Sequence, residues 1–191
     1  ETGALPSGYG AFARILEPLG YQVAALYPLP RLRMTGRAFV QQDFPEDIPQ
    51  FFVSELHVQE LAPEAQGASA RVFGASVDPI GEAEQVLLDT LAQQGTCRFE
   101  VAAAGLPGLL AAFGRHHPEP VLDDYQMLLA DSAEAGWIAT EGNAFNHATD
   151  RVADIEDLVR RLKAQEQPLK AEIETSANGR IRQTAFLADK V

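Results

Sequence analysis

The sequence predicts an α+β fold in which two βαβββ modules form a curved sheet around a cavity, with a helical insert between them. Three observations support this prediction. A helical segment and three strand-like segments occupy residues 1–61, mostly helical residues occupy 62–141, and a strand–helix–strand–strand pattern occupies 142–191. In this interpretation the first module lacks its first strand and the second module lacks its last strand. The 191 residues are enough for one compact domain with a hydrophobic core.

The first module, residues 1–61, begins with a predicted helix that Ser7 caps and Gly20 ends. The apolar stripe of this helix consists of four residues at helical spacing: Phe12, Ile15, Leu16 and Leu19. Three predicted strands follow, at residues 21–27, 31–41 and 50–60. Proline-containing breaks separate these strands, as is typical of turns in a sheet.

The insert, residues 62–141, contains three predicted helices: 82–94, 105–113 and 121–140. Residues 61–81 are rich in alanine, glycine and proline and predict no particular element. This middle part of the chain is therefore expected to be mostly helical.

The second module, residues 142–191, begins with a predicted strand over 143–150. Asp154 is the expected cap of the helix that follows. The last two strands are predicted at 169–176 and 180–187, around Asn178 and Gly179. An Asn-Gly pair is typical of a two-residue hairpin turn, so these strands should be antiparallel neighbours.

The composition limits the partners that this protein can have. A formal net charge of −12 argues against nucleic acid and anionic membranes, because a polyanion binds to a basic surface. No apolar run approaches the roughly 20 residues that span a bilayer, and no signal peptide is recognisable. The single cysteine, Cys97, allows no internal disulfide and fits a reducing compartment, so we expect a cytoplasmic protein. The oligomeric state is not predicted.

Three stretches of the chain carry a resemblance to a known family. They are GYQVAALYPLPRLRMTGRAFVQQDFPEDIPQFFVSEL (20–56), GRHHPEPVLDDYQMLLADSAEAGWIATEGNAFNHATDRV (114–152) and GRIRQTAFLADKV (179–191). They resemble the 2-oxoadipate dioxygenase/decarboxylase family, also called hydroxyglutarate synthase, which is itself similar to glyoxalases and other vicinal-oxygen-chelate proteins. The Asn-His-x-Thr element at 146–149 is the most specific part of the resemblance.

The resemblance implies an Fe(II) enzyme without haem that uses O2 to convert 2-oxoadipate to 2-hydroxyglutarate with loss of CO2, a step of lysine breakdown. In such a family, two histidines and one carboxylate hold the metal, and another divalent ion could replace iron in a crystal. His147 matches the second of these histidines. The first histidine belongs to a His-Gly-x-x-Arg segment and the carboxylate to a final strand, and this sequence contains neither.

His147 is the principal metal-ligand candidate. Strand alternation would place it on one face with Phe145 and Thr149, and that face should line the cavity. Considered without the resemblance, a single histidine is more often a hydrogen-bonded core residue. The resemblance favours the ligand role, in which the other ring nitrogen needs an acceptor of its own.

Glu55 is the second metal-ligand candidate. Val53, Glu55 and His57 should share one face of the third strand, and vicinal-oxygen-chelate folds often take a ligand from such a strand. The alternative for Glu55 and His57 is a solvent-exposed face without function. The adjacent His116 and His117 are not expected to form a metal site, because they precede Pro118 in a turn.

Three residues of the second module are candidates for substrate binding: Gln183, Arg182 and Thr149. Arg182 could bind the distal carboxylate of a dicarboxylic substrate through two N–H donors. Alternation places Gln183 on the opposite side from Arg182, and Gln183 is the preferred cavity residue. Ordinary hydrogen bonding between neighbouring strands is the alternative role for Gln183 and Arg182.

Two other functions remain open at this point. The protein could be a glyoxalase-like metal-dependent isomerase or hydrolase of unknown substrate. It could also be a binding protein that has the fold but not the catalytic site.

Overall fold

The structure is a computed structural model, and it describes residues 3–145 and 149–187. The chain divides into two compact units, residues 1–146 and residues 147–191, which are described separately below. The predicted strand over 143–150 does not form at 143–145 or at 149–150. His147 itself lies outside the described residues.

The first unit begins with the α-β-β-β order that the sequence predicts. Helix α1 (Gly10–Leu16) precedes three strands: β1 (Tyr21–Leu29), β2 (Met34–Gln41) and β3 (Phe51–Leu56). They form an antiparallel sheet in the order β1-β2-β3. The predicted Ser7 cap is wrong, because Tyr9 stands at the N-cap and no side chain caps the helix.

The sheet has one covered face and one open face. Phe39 of β2 is completely buried and packs with Leu16 of α1 and Val53 of β3, so α1 covers this face. Phe52 alternates with Val53 along β3 and is 57% exposed. Tyr27 of β1 lies beside Phe52, with ring centroids 5.5 Å apart, and is also exposed. The open face therefore presents two aromatic rings.

Five helices follow in the first unit: α2 (Pro63–Phe73), α3 (Glu82–Gln94), α4 (Phe99–Ala111), α5 (Leu122–Asp131) and α6 (Ala133–Glu141). The prediction for 82–94 is confirmed by α3, whereas α4 begins six residues before the predicted helix at 105–113. The predicted helix over 121–140 divides at Ser132, which has extended backbone angles (φ −151°, ψ 122°). The Ser132 hydroxyl accepts a hydrogen bond from the Ala135 N–H (3.1 Å) and so caps α6.

Arg33 connects the sheet to helices α2 and α5. It follows a short 3-10 turn, Pro30–Leu32, that replaces the start of the predicted strand 31–41. The Arg33 guanidinium donates from Nη1 to Oδ2 of Asp131 (3.0 Å). The same Oδ2 accepts from the Ala62 N–H (3.0 Å), just before α2. The Ala62 N–H and the Arg33 guanidinium together hold the pKa of Asp131 below its ordinary value.

The second unit contains helix α7 (Ile155–Ala164) and two short antiparallel strands, β4 (Glu174–Thr175) and β5 (Arg182–Gln183). The predicted cap of α7 is confirmed, because the Asp154 carboxylate accepts from the Asp157 N–H (2.9 Å). The predicted strands 169–176 and 180–187 are largely wrong in extent, since within these described ranges only β4, β5 and one isolated bridge, Leu169 with Phe186, form. Over the part of the chain that the structure describes, no helix is long and apolar enough to cross a bilayer.

Candidate functional site

Glu55 lies near the end of β3, on the face that α1 covers. Its Oε2 accepts from Nη1 of Arg37 on the neighbouring strand (2.8 Å), and its Oε1 accepts from the Tyr9 N–H before α1 (3.4 Å). The Arg37 guanidinium also lies 3.9 Å from the centre of the Tyr9 ring. This arrangement leaves no space for a Cβ at Gly8, whose φ is +57°. Both oxygens of Glu55 therefore have a protein partner, and its role as a metal ligand stays a prediction.

His57 follows β3 directly and is held between two side chains. Its Nε2 lies 2.9 Å from the Thr35 hydroxyl, and its Nδ1 lies 3.0 Å from Oε1 of Glu60. An ionised carboxylate only accepts, so Nδ1–H donates to Glu60, and in a neutral ring with this tautomer Nε2 accepts from the Thr35 hydroxyl. Thr35 and Glu60 are not among the residues that the sequence singled out. The signal for Glu60 is its spacing of three residues from His57, whereas Thr35 carries no comparable signal.

The substrate-binding candidates lie in the second unit. Arg182 donates from Nη1 to Oε1 of Glu156 in α7. Gln183 donates from Nε2 to Oε2 of Glu174 (3.3 Å), its register partner on β4. Both side chains thus make the contacts of an ordinary folded surface, and their roles in substrate binding stay predictions. Thr149 is exposed.

Thr184, next to Gln183, differs from these surface residues. Its Oγ1 is buried, and no hydrogen-bond partner is found for it among the described residues. Such a hydroxyl is unusual in a folded protein, where buried polar atoms are nearly always paired. Thr184 is not among the candidate residues that the sequence analysis names.

The chain approaches His147 from the end of α6. Gly142 has φ +65° and lies against the backbone of Arg115, where a Cβ has no space. The next residue, Asn143, donates from its backbone N–H to the carbonyl oxygen of Gly114 (3.0 Å). Phe145 then stacks on Phe113, with ring centroids 4.8 Å apart and an angle of 13° between the planes. Residues 142–145 therefore run alongside residues 113–115.

His117 has a structural position rather than that of a metal ligand. It is buried, and its Nε2 lies 3.0 Å from the carbonyl oxygen of Ala139 in α6. Its ring packs edge-on against Phe73 of α2, with centroids 5.4 Å apart. Burial lowers the pKa of His117, so the ring is neutral at pH 7 and its Nε2–H donates to Ala139.

The described residues do not form an iron site by themselves. Iron of the kind that the resemblance implies takes two histidines and one carboxylate. Within residues 3–145 and 149–187, no group of three or more His, Cys, Asp or Glu side chains is placed to hold a metal ion. The imidazole of His147 is a donor of the type that iron accepts, and it lies outside these residues.

The sequence of the chain matches one protein family over residues 2–191, and that family is described as 2-oxoadipate dioxygenase/decarboxylase. The chain belongs to this family. The match extends over both units and confirms the resemblance found in the sequence. A comparison with curated proteins finds no match.

Solved structures share the fold. A protein from Ralstonia eutropha JMP134, assigned to the glyoxalase superfamily, is 48% identical with a TM-score of 0.94, and the match covers 100% of this chain and 59% of that one. A hydroxyglutarate synthase from Pseudomonas putida, in complex with 2-oxoadipate, is 21% identical with a TM-score of 0.78. That match covers 96% of this chain and 44% of the other. The synthase from Oryza sativa is 18% identical with a TM-score of 0.65, covering 95% and 57%.

These comparisons confirm the predicted α+β fold of the glyoxalase type. Helices and small antiparallel sheets make up the described residues, as expected for that class. At their low identity, the two synthases show the fold alone. The chain spans 59% of the length of the Ralstonia protein, so the activity of a whole protein is a matter for proposal.

Proposed function

We propose that the protein to which this chain belongs converts 2-oxoadipate, or a similar 2-oxo acid, to 2-hydroxyglutarate in lysine breakdown. The reaction consumes one O2 and releases one CO2. The observation that carries the proposal is the family match over residues 2–191. The fold shared with a synthase that binds 2-oxoadipate is consistent with it. The single cysteine fits a cytoplasmic location.

Fe(II), when bound, would supply the electrons that activate O2 and the positions that a 2-oxo acid can occupy. His147 is the proposed iron ligand from this chain. Glu55 is the weaker candidate, because its carboxylate would have to leave Arg37 and the Tyr9 N–H to reach a metal. Arg182, Gln183 and Thr149 are the proposed contacts to the substrate. To bind substrate oxygens, Arg182 would have to leave Glu156 and Gln183 would have to leave Glu174.

O2 consumption tests the proposal. Full-length, iron-loaded protein is supplied with 2-oxo acids of increasing chain length, and O2 uptake and CO2 release are measured together. We expect equal amounts of both with 2-oxoadipate, and a product of one carbon fewer. Iron-loaded protein that consumes no O2 with any 2-oxo acid in the series would contradict the proposal.

Two variants test the ligands. His147→Ala should lose iron and turnover but keep the far-UV circular dichroism of the parent protein. His57→Gln is the matched control, because the amide can still contact Thr35 and Glu60, and it should keep its iron. Iron retained by His147→Ala at parental affinity would show that the ligand assignment is wrong. Glu55→Gln separates the two roles of Glu55, since only a metal ligand would lose iron on this change.

A second candidate function has one supporting observation. The Ralstonia protein, 48% identical, is assigned to the glyoxalase superfamily. A glyoxalase-like isomerase or hydrolase would bind zinc or nickel and would not consume O2. Metal analysis of the purified protein, together with the O2 measurement, distinguishes the two. If the unmodified full-length protein contains no metal and shows no turnover, a binding protein would be favoured.

A further inference from the structure

Thr35, His57 and Glu60 form a continuous hydrogen-bonded series in the first unit, and the proposed function assigns no role to it. Oγ1 of Thr35 lies 2.9 Å from Nε2 of His57, and Nδ1 of His57 lies 3.0 Å from Oε1 of Glu60. With Nδ1–H donating to the carboxylate, Nε2 of the neutral ring is free to accept the hydroxyl proton. A hydroxyl, an imidazole and a carboxylate in this order are the arrangement by which hydrolases activate a nucleophile.

The backbone holds the three residues in this arrangement. Thr35 lies in the central strand β2 and pairs with Glu55 of β3, two residues before His57. The His57 N–H donates to the carbonyl oxygen of Arg33 (2.8 Å), so the chain stays beside the start of β2 after β3 ends. The Glu60 N–H then donates to the His57 carbonyl oxygen (2.9 Å) and closes a short turn. The base and its carboxylate partner are therefore positioned before any substrate binds.

The series leads from the sheet to solvent. Thr35 is half-buried, the His57 side chain is 26% exposed and the Glu60 side chain is 50% exposed. A small molecule can therefore approach the hydroxyl and the ring from solvent. Because water screens the charge of an exposed carboxylate, Glu60 acts mainly by fixing the tautomer and the orientation of the ring.

We propose that Thr35 is the nucleophile of a hydrolytic site for small activated carboxylic esters, with His57 as the general base and Glu60 as a positioning residue. Oγ1 of Thr35 forms a bond to the ester carbonyl carbon while Nε2 of His57 takes the hydroxyl proton. The bond from that carbon to the leaving oxygen then breaks, and His57 gives its proton to this oxygen.

Water completes the reaction. A water molecule gives a proton to Nε2 of His57 and attacks the acyl carbon on Thr35. The bond to Oγ1 breaks, Oγ1 takes the proton back from His57, and the carboxylic acid leaves. One ester and one water give one acid and one alcohol or phenol, and nothing is oxidised or reduced.

The position of Thr35 limits the substrate class. Thr35 lies between Pro28 of β1 and Glu55 of β3, and it carries a methyl group on the same carbon as the hydroxyl. A short acyl group therefore suits the site. A phenyl ester is favoured over an alkyl ester because its carbonyl carbon is more reactive and demands less stabilisation of the oxyanion.

The experiment follows hydrolysis of p-nitrophenyl acetate by the full-length protein in the presence of a chelator. Thr35→Val removes the hydroxyl at nearly constant volume, and Thr35→Ser keeps it. Thr90→Val is the matched control, because the Thr90 hydroxyl donates to the carbonyl oxygen of Val86 within α3 (2.6 Å) and not to a histidine. Mass spectrometry of the quenched and digested protein locates the acetyl group.

We expect Thr35→Val and His57→Gln to lower kcat/KM by about 10²-fold or more. Thr35→Ser and Thr90→Val should stay close to the parent. Glu60→Gln should fall between these groups at an unchanged melting temperature, because its amide oxygen can still accept from Nδ1–H. The acetyl group should be found on the peptide that contains residue 35 in the parent and in Thr35→Ser, but not in Thr35→Val.

Two results would overturn the proposal. One is hydrolysis by Thr35→Val at the parental rate, which with a lower melting temperature would show that the contacts are merely structural. The other is an acetyl group carried only by side chains other than that of Thr35. Ester hydrolysis and O2 uptake with 2-oxoadipate are separate measurements, so failure of this proposal is distinguishable from failure of the proposed function.

Discussion

Gly105 and Gly108 lie one turn apart in α4, and their replacement by alanine gives a matched pair of variants. In the middle of a helix, alanine is favoured over glycine by about 1 kcal/mol at either position. The two sites differ in what a new Cβ would meet. At Gly105, the Cβ would lie 2.9 Å from Cβ and Cδ2 of Leu87 and 3.0 Å from the carbonyl oxygen of Ala83. At Gly108, the three atoms nearest to the new Cβ all belong to the side chain of Glu84.

The atoms around each glycine decide whether alanine raises or lowers the free energy of unfolding. Leu87 is buried between α3 and α4 and the Ala83 oxygen is backbone, so α4 would have to move away from α3. Such overpacking costs about 1–3 kcal/mol, more than the gain in helix propensity. We expect Gly105→Ala to lower the free energy of unfolding by about 1 kcal/mol net.

Gly108→Ala should be nearly neutral. The Glu84 carboxylate is the far end of a flexible side chain and can rotate away from the new Cβ. It then gives up its contact with the Gly81 N–H (3.0 Å), which offsets part of the gain in propensity. The net change should stay within about 0.5 kcal/mol of zero.

Urea denaturation followed by far-UV circular dichroism measures both variants. The midpoint should fall for Gly105→Ala and stay close to the parent value for Gly108→Ala, with equal slopes in all three proteins. If Gly105→Ala is as stable as Gly108→Ala or more stable, the close approach of α3 and α4 is not a constraint on the sequence, and the reasoning is wrong.

The remaining predictions concern acid stability and the second unit. Burial lowers the pKa of His117, so the unfolded chain takes up a proton first as the pH falls below about 6.5. The free energy of unfolding should therefore decrease below that pH, and His117→Gln should show a shallower decrease between pH 7 and the acid range; equal slopes would contradict this. Asp154→Ala removes the cap of α7 and should cost about 1 kcal/mol, whereas Asp154→Asn should cost much less, as measured by urea denaturation. Equal losses in these two variants would show that the cap does not act through its hydrogen bond.

The elements that the sequence predicted well are those with a strong local pattern. The three strands of the first sheet are separated by proline-containing breaks, and α3 has an apolar stripe and ends before Gly95. The start of α4 was missed because FEVAAAGLPG has almost no polar face to mark a helical period. The break at Ser132 depends on one backbone conformation and one cap hydrogen bond, neither of which periodicity detects.

The candidate site was less predictable because its contacts are long-range. Alternation correctly placed Glu55 on the face of Val53, but it could not show that the Arg37 guanidinium, 18 residues earlier in the chain, reaches the Glu55 carboxylate from the position opposite Val53. The same limit applies to Thr35 beside His57, which are joined only by the register of β2 and β3. The family resemblance predicts His147 as a metal ligand from a local motif, which requires no knowledge of distant partners.

The two faces of the first sheet differ in how freely their residues can be substituted. Phe39 and Val53, beneath α1, hold the fold together, whereas Tyr27, Phe52 and Ser54 on the other side are exposed. Substitutions among these three should leave folding nearly unchanged while altering the side chains that the sheet presents to solvent. Related proteins can therefore differ in the side chains along this face without first acquiring extra stability.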